Sequence, residues 1–339
     1  MTSSFLAHPK VLLMGLRKSG KTSIQKVVFE GMQPHHCVDL TTTVQPEKST
    51  VCSYDFVNFE VWDFPGQTDP FDLNNTVHYD VGVLLENCGA IVFVMDCGEL
   101  IDDSHARLVE TVCAAYDRDP ELSVEVFIHK VDKLSEDHQA DLLTSLQRRV
   151  EAEARQRLNA TAQLRLNFNL TSIYDHSVFQ AFSSVVQKLM KLQIPYITEL
   201  LQILNSNSNL DLSYLFLSRS KIFLSVDERN RVKTRTYEIC SDAIEVMMGM
   251  NRIYSKGKEQ GEGDEEEVSS GARGTEAEVY AGANIVIKLS SDDCIYVKEL
   301  PNSLTLVSMV KNESFRNRIL IDHNISAFYN AAYSIFRRN

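Results

Sequence analysis

The sequence predicts an α/β protein with a mostly parallel six-stranded sheet, followed by a smaller α+β region. Six apolar strand-like segments fall between residues 10 and 171, and segments with a helical period separate most of them. Such alternation is typical of a parallel sheet with helices on both faces. The chain has 339 residues, which favours two domains over one, and the order of predicted elements changes near residue 193.

The strands and helices of the first region follow one another along the chain. The predicted strands are KVLLMG, TVCSYDF, FEVWDF, AIVFVMD, VEVFIHK and LRLNFNLT. Only a few residues separate the second strand from the third, so we expect this pair to form an antiparallel hairpin at one edge of the sheet. The helical patterns cover residues 21–32, 104–118, 136–158 and 175–190.

The second region has the order helix, two strands, helix, three strands, helix. Its two strands flank a predicted tight turn at Arg219 and Ser220, and its last helix is predicted over 314–336. Residues 257–278 are acidic and rich in Gly and Ser, which favours a solvated flexible insertion over a docking segment. The predicted domains are therefore a disordered terminus over 1–8, a first domain over 9–192 and a second over 193–339.

Composition limits the classes of partner. Lys and Arg number 34 against 46 Asp and Glu, for a formal net charge of −12. This balance argues against nucleic acid or an anionic membrane as the main direct partner. No stretch approaches the ~18 apolar residues of a membrane span, and neither Thr2 nor the C-terminal residues match a lipidation motif. Seven scattered cysteines without a C-x-x-C pair predict reduced thiols in a reducing compartment.

The stretch GLRKSGKT, residues 15–22, matches the phosphate-binding pattern G-x-x-x-x-G-K-[ST]. It follows an apolar strand and opens an amphipathic helix, so its backbone N–H groups and the helix N-terminus can face phosphates. Lys21 would reach the β- and γ-phosphates, and the Thr22 hydroxyl would ligate Mg²⁺. The predicted phosphate-binding residues are Gly15, Arg17, Lys18, Ser19, Gly20, Lys21, Thr22 and Ser23.

Two further segments predict the γ-phosphate and Mg²⁺ side of the site. In VWDFPGQ, Asp63 would hold Mg²⁺ through water, Gly66 would offer its N–H to the γ-phosphate, and Gln67 would orient the attacking water as the catalytic residue. Three consecutive threonines occur in HCVDLTTTVQPEK. Thr43 is the first choice as a Mg²⁺ ligand and Thr42 the second, and a merely polar loop is the alternative.

The segment FIHKVD, at the end of the fifth predicted strand, predicts selectivity for guanine. Asp132 can accept hydrogen bonds from guanine N1–H and N2–H₂, a donor pair that adenine lacks. The Lys130 stem can pack over the base, and the backbone at Ser172 and Ile173 can donate to guanine O6. His129 is counted with Lys130 and Asp132 among the nucleotide-binding residues of this motif, and we expect it to hold loops together and not to act as a catalytic base.

In this order the motifs resemble those of small Ras-like GTPases. The variants MGLRKSGKTSIQKVVF, VNFEVWDFPGQ, EVFIHKVD and LTSIYDHSVFQAFSSVVQKL resemble Rag GTPases, in particular the C/D type, known in yeast as the second Gtr protein. The C-terminal order is similar to the family's roadblock-like dimerisation domain. His129 replaces the Asn of most Ras-like proteins, and the C/D-type Rags share this His.

The resemblance implies a Ras-like domain that binds GTP or GDP with Mg²⁺. It also implies an obligate heterodimer with an A/B-type Rag GTPase, joined through the C-terminal domains. Such dimers bind a lipidated scaffold complex on the lysosome or vacuole, recruit the target-of-rapamycin kinase complex and respond to GTPase-activating proteins. The implied location is cytoplasmic and peripheral on that membrane through partners, with the nucleus as a second location.

Arg17 and Lys18 occupy positions where Ras proteins have glycine. Their bulk should crowd Gln67 and any inserted arginine finger, which predicts slow hydrolysis without an activating partner. Two alternatives stay open: a scaffold that holds nucleotide without hydrolysing it, and a P-loop phosphotransferase acting on a small molecule. The phosphotransferase is disfavoured because we find no lid or substrate-binding cluster in the sequence.

Overall fold

The protein is described from a computed structural model that divides into two compact units, residues 1–191 and 192–339. The described residues are 9–40, 43, 45–52, 58–66, 85–98, 101–158, 163–227, 234–256, 283–290 and 292–337. Gln67, Thr42 and the predicted flexible segments 1–8 and 257–278 lie outside them.

The first unit contains the predicted six-stranded sheet, in the order β2-β3-β1-β4-β5-β6. The strands are β1 Lys10–Met14, β2 Glu47–Cys52, β3 Asn58–Asp63, β4 Cys88–Asp96, β5 Ser123–His129 and β6 Leu166–Thr171. β2 pairs antiparallel with β3 at the sheet edge, and the remaining neighbours are parallel. The mostly parallel sheet and its edge hairpin are therefore confirmed.

Among the described residues of the first unit, four α-helices cover both faces of this sheet. They are α1 Lys21–Phe29, α2 Ile101–Arg118, α3 Glu136–Arg157 and α4 Ser177–Leu189. Leu12 and Met14 of β1 share a buried cluster with residues of α2 and α3. On the other face, the Phe182 ring of α4 lies 5.1 Å from the rings of Phe29 and Phe127. The alternation of side chains along each strand divides the core in this way.

The parallel strands end at one edge of the sheet, and the loops that follow them carry the polar motifs. β1 leads into Gly15, and β3 ends at Asp63. β4 ends at Asp96, β5 at His129 and β6 at Thr171. In open parallel sheets, ligands bind in the crevice at the carboxyl ends of the strands. This edge is therefore the expected place of the functional site.

The second unit is an antiparallel sheet in the order β8-β7-β11-β10-β9. Its strands are β7 Leu212–Leu217, β8 Ile222–Val226, β9 Asn284–Lys288, β10 Asp293–Leu300 and β11 Leu304–Lys311. Its helices are α5 Ile194–Ser208, α6 Thr234–Lys256 and α7 Arg318–Arg337, with one helical turn at Asn312–Phe315. The predicted last helix was wrong at its start, because the chain closes that turn before α7 begins.

The helices of the second unit pack on opposite faces of its sheet. The ring of Phe216 lies 5.9 Å from that of Tyr237 on α6. On the other face, the Ser213 hydroxyl donates to Asn205 of α5, and the Tyr296 hydroxyl donates to Asp322 of α7. The predicted α+β class of this region is confirmed. Among the described residues of the chain, none of the helices has the length and apolar character needed to cross a membrane.

Candidate functional site

A cavity of about 420 Å³ opens at the carboxyl edge of the first sheet. Most of the predicted phosphate-, metal- and base-binding residues line it. These are Arg17, Lys18, Gly20, Lys21, Thr22, Ser23, Thr43, Gly66, His129, Lys130, Asp132 and Ile173. Gly15, Ser19, Asp63 and Ser172 do not line the cavity; Ser19 is buried, and its hydroxyl accepts a long hydrogen bond of 3.5 Å from Lys21 Nζ.

The predicted phosphate-binding segment, residues 15–22, is called the phosphate loop and wraps around a buried ammonium group. The Lys21 residue is 5% exposed, and its Nζ donates to the carbonyl oxygens of Gly15 at 2.9 Å and Leu16 at 2.8 Å. Burial lowers the pKa of Lys21 to about 8, and the charge of Asp63 offsets part of that effect. A partly desolvated cation held at the start of α1 is well placed to bind a phosphate anion.

Three glycines let the surrounding segments approach the phosphate loop closely. A Cβ on Gly15, where φ is +134°, would lie 2.0 Å from the Val94 carbonyl oxygen of β4. A Cβ on Gly20, where φ is +105°, would lie 2.5 Å from the His129 ring. A Cβ on Gly66 would lie 2.2 Å from the backbone nitrogen of Arg17. Side chains at these positions would therefore collide with fixed groups.

The three predicted Mg²⁺ ligands contact one another. The Thr22 hydroxyl donates to Asp63 Oδ2 at 2.5 Å and lies 2.7 Å from the Thr43 hydroxyl. Asp63 is fully buried, and its Oδ1 has no hydrogen-bond partner among the described residues. Burial raises the pKa of Asp63, although the Thr22 hydrogen bond and the Lys21 charge oppose it. Hard oxygen donors beside an unpaired carboxylate oxygen fit Mg²⁺.

The loop after β5 is tied to its neighbours by two side chains. The buried His129 places Nδ1 3.1 Å from the Thr171 hydroxyl. Burial, assisted by the charge of Lys130, lowers the pKa of His129 to about 4, so its ring is neutral at pH 7. The Lys130 ammonium donates to the Lys18 carbonyl at 2.7 Å and to Asp96 Oδ2 at 2.6 Å. The loop after β5, which is called the base loop, is thus directly connected to the phosphate loop.

The Asp132 carboxylate is oriented by the loop after β6. The Ser172 hydroxyl donates to Asp132 Oδ1 at 2.6 Å, while the Ser172 amide donates to the Ser177 hydroxyl at 2.9 Å. The Ser172 amide is therefore already engaged. Of the two predicted amide donors, Ile173 is the better candidate for guanine O6.

Comparison with known proteins identifies the family of the chain. Residues 10–244 match the family model described as the Gtr1/RagA G protein conserved region. This chain belongs to the Rag/Gtr family. Ras-related GTP-binding protein C of Homo sapiens is 39% identical over 97% of this chain and 77% of that protein. The corresponding values are 40%, 97% and 68% for Ras-related GTP-binding protein D of Mus musculus, and 37%, 96% and 98% for GTP-binding protein gtr2 of Schizosaccharomyces pombe.

The similarity extends over almost the whole chain and places it among the C/D-type members of the Rag/Gtr family. This confirms the assignment made from the motifs. Members of this family are GTP-binding proteins, and the chain is accordingly a Ras-like GTPase that binds guanine nucleotide. The cavity at the carboxyl edge of the first sheet is its candidate nucleotide site.

In this Rag/Gtr chain, several residues at the site were not predicted from the sequence. Val38 and Tyr174, which are 76% and 62% exposed, lie at the cavity together with Cys37 and Leu40. They would give a purine base an apolar surface. Cys37 and Val38 lie at the end of a short 3-10 helix, Pro34–Asp39, and Leu40 directly follows it. Because this segment is short, no periodic pattern in the sequence marks these residues. Asp96 was likewise treated only as the end of a strand.

Proposed function

We propose that this GTPase is a slow, partner-controlled switch that forms one half of a heterodimer with an A/B-type Rag GTPase. In this role it relays amino-acid sufficiency to the target-of-rapamycin kinase complex at the surface of the lysosome or vacuole. The observation that carries the proposal is the meeting of phosphate loop, Mg²⁺ ligands and base loop around one cavity. The proposed domains are a GTPase domain over 9–192 and a roadblock-like dimerisation domain over 193–339.

Each cluster of residues has a separate task in the proposed switch. Lys21 and the amides of the phosphate loop bind the β- and γ-phosphates, and Asp132 selects guanine. Thr22 and Thr43 would hold Mg²⁺ directly and Asp63 through water; when bound, the ion neutralises charge on the phosphate oxygens. Gln67 is the proposed residue that orients the attacking water.

Slow hydrolysis is proposed from the start of the phosphate loop. Arg17 and Lys18 place two long side chains at the cavity. Lys18 adopts a left-handed backbone conformation with φ of 63°, and Gly66 approaches the backbone of Arg17 closely. Gly66, which makes this close approach, directly precedes Gln67 in the sequence. We expect this crowding to hinder both the orientation of water and an arginine finger, which a GTPase-activating protein must overcome.

Single-turnover GTP hydrolysis by the purified heterodimer tests the switch. The wild-type chain should hydrolyse bound GTP slowly alone and faster with a GTPase-activating protein. Gln67→Leu should abolish the accelerated rate, while Gln147→Leu, an exposed glutamine on α3, should leave it unchanged. If neither the wild type nor any variant hydrolyses GTP, the non-hydrolysing scaffold is the correct alternative. Tight ATP binding with weak GTP binding would favour a phosphotransferase.

An apolar stripe on α6 supports pairing through the second domain. Val246, Met250 and Ile253 are 50%, 43% and 71% exposed, and their spacing places them on one face of the helix. Gly249 lies in the same stretch, and a Cβ there would meet none of the described residues within 4 Å. Exposed apolar stripes of this kind are typical of protein interfaces. The proposed occupant is the second domain of the A/B-type partner.

Paired charge insertions test this interface. Val246→Asp should prevent co-purification with the A/B-type chain, because it would bury an unpaired carboxylate at the contact. Leu320→Asp on α7 is the matched control, since Leu320 is also 50% exposed, and it should retain a one-to-one complex. Light scattering after size-exclusion chromatography measures the result. A wild-type-like complex with Val246→Asp would remove α6 from the interface.

Attachment to the membrane is proposed to be indirect, through a lipidated scaffold complex that binds the heterodimer. The chain would then be cytoplasmic and peripheral on the lysosome or vacuole, with a second pool in the nucleus. Microscopy of the tagged chain in cells with and without the scaffold tests this location. Retention on the organelle after scaffold removal would contradict indirect anchoring.

A further inference from the structure

The end of β4 and the residue after it make three contacts with the base loop that the proposed nucleotide contacts do not explain. Lys130 Nζ donates to Asp96 Oδ2 at 2.6 Å. The Cys97 thiol donates to the Lys130 carbonyl at 3.1 Å, and the Cys97 amide donates to the His129 carbonyl at 3.0 Å. Residues 96 and 97 therefore hold both the backbone and the side chain of the residue that packs over the base.

The Asp96 side chain is fixed before it receives the lysine. It is 8% exposed, and its Oδ1 accepts the Gly98 amide at 2.9 Å. Its Oδ2 is then directed at Lys130. Burial works to raise the pKa of Asp96, but the hydrogen bonds from Lys130 and from the Gly98 amide outweigh it and hold the pKa below its ordinary value. Asp96 is accordingly a preorganised anion.

The conformation of Lys130 is constrained both at its backbone and at its ammonium group, and Asp96 supplies one of the constraints on the ammonium group. The Lys130 backbone is left-handed, with φ of 64° and ψ of 32°, which a side-chain-bearing residue adopts only when its surroundings impose it. Its ammonium spans from Asp96 to the Lys18 carbonyl in the phosphate loop. A long lysine without the carboxylate would be free to leave that carbonyl.

We propose that Asp96 is a positioning residue that keeps Lys130 across the phosphate loop and thereby slows the release of bound guanine nucleotide. The proposal rests on the proposed nucleotide contacts of Lys130 and the phosphate loop. Asp96 does not line the cavity, so it acts through Lys130. The consequence is specific: loss of the Asp96 charge should affect nucleotide release more than the hydrolysis step, which takes place at the γ-phosphate.

Release of fluorescent GDP from the purified heterodimer tests the proposal. Asp96→Asn keeps the shape and the acceptor for the Gly98 amide but removes the charge, and should speed release about 10-fold. Asp119→Asn is the matched control, because Asp119 Oδ1 accepts the amide of Glu121 two residues ahead in the same way. It should leave the rate within about twofold, since a neutral acceptor can still serve that amide.

A double-mutant cycle separates positioning from a structural effect. Lys130→Met should speed release by itself, and Asp96→Asn should add nothing in the Lys130→Met background. Asp96→Glu, which keeps the charge, should recover part of the retention and serves as the second variant if the Asn protein is unstable. Multiplicative effects of the two substitutions, or wild-type release with Asp96→Asn, would overturn the proposal. A wild-type protein that holds no guanine nucleotide would instead overturn the proposed nucleotide contacts themselves.

Discussion

The glycines around the nucleotide cavity and Gly249 of the second unit occupy opposite environments. In the first unit, Gly15, Gly20 and Gly66 are pressed against backbone or ring atoms, with hypothetical Cβ contacts of 2.0 to 2.5 Å. In the second unit, Gly249 lies on the exposed face of α6, and a Cβ there would contact none of the described residues. Gly costs about 1 kcal/mol relative to Ala in a helix interior, and no contact among the described residues of its unit accounts for Gly249.

The difference separates two kinds of constraint. Around the nucleotide cavity, the identity of each residue follows from atoms of the same unit, because loops from five strands meet within hydrogen-bond distance. On α6, the exposed apolar residues and Gly249 are explained by the proposed contact with the partner chain and not by packing among the described residues of the same unit. Substitutions should therefore harm the first region in the isolated chain, and the second mainly in the assembled heterodimer.

The largest effect should come from Gly15→Ala. Its Cβ would overlap the Val94 carbonyl oxygen, and neither backbone can move without separating β1 from β4. We expect a loss of about 4 kcal/mol in unfolding free energy, at the severe end for single substitutions. Urea unfolding of the purified variant measures it. A variant within about 1 kcal/mol of wild type would show that the phosphate loop is less confined than described.

Next in size should be the effect of Asp63→Asn on Mg²⁺ binding. Removal of the buried charge should weaken the Mg²⁺ affinity of the nucleotide-loaded protein about 100-fold. A titration that follows Mg²⁺-dependent fluorescence measures this affinity. Asp102→Asn, at an exposed position on α2, should leave the affinity unchanged. Equal Mg²⁺ affinity in both variants would remove Asp63 from the metal site.

Mg²⁺ binding should also depend on pH through the same carboxyl group. Because burial raises the pKa of Asp63 above the ordinary 3.8, its charge is lost at a higher pH as the solution is acidified. Mg²⁺ affinity should then decline as the pH falls, beginning above the range expected of an exposed aspartate. A titration of the wild-type protein at decreasing pH checks this direction, and a decline confined to pH below 3.8 would contradict it.

A smaller effect should appear as proton uptake on nucleotide binding. The pKa of Lys21 is about 8 without phosphate, and bound phosphates should raise it. At a pH between the pKa of Lys21 in the free protein and its raised pKa in the complex, nucleotide binding takes up a proton. The affinity for nucleotide should therefore fall as the pH rises above about 8. Calorimetry in two buffers should give a larger proton uptake at pH 8.5 than at pH 7. Lys311→Met should not alter this, and equal uptake at both pH values would contradict the buried ammonium.

The smallest effect should come from Gly249→Ala. In the isolated chain it should raise the unfolding free energy by about 0.5–1 kcal/mol, since the methyl group meets no other atom. In the heterodimer, the same methyl group should weaken the complex. Thermal unfolding and the dissociation constant of the pair measure the two effects. A stabilised chain with an unchanged dissociation constant would show that Gly249 does not face the partner.

Local patterns sufficed for most of the fold. The apolar strands, the hairpin before Asp63 and the G-x-x-x-x-G-K-T stretch are contiguous, and the mostly parallel sheet follows from the alternation of strands with helices. Contacts between distant segments were missed. Asp96 meets Lys130 across 34 positions, and nothing near either residue marks the pair. The engaged amide of Ser172 depends on Ser177, and the start of α7 depends on a helical turn that periodicity does not distinguish from helix.

Identification of what co-purifies with the full-length chain tests the central claim most directly. Mass spectrometry of a tagged preparation should recover an A/B-type Rag chain in one-to-one ratio, with guanine nucleotide bound to the complex. Removal of the partner's contact by Val246→Asp should leave guanine nucleotide on this chain but release the partner. A stable nucleotide-bound homodimer or monomer from wild-type protein, or adenine nucleotide in place of guanine, would contradict the account.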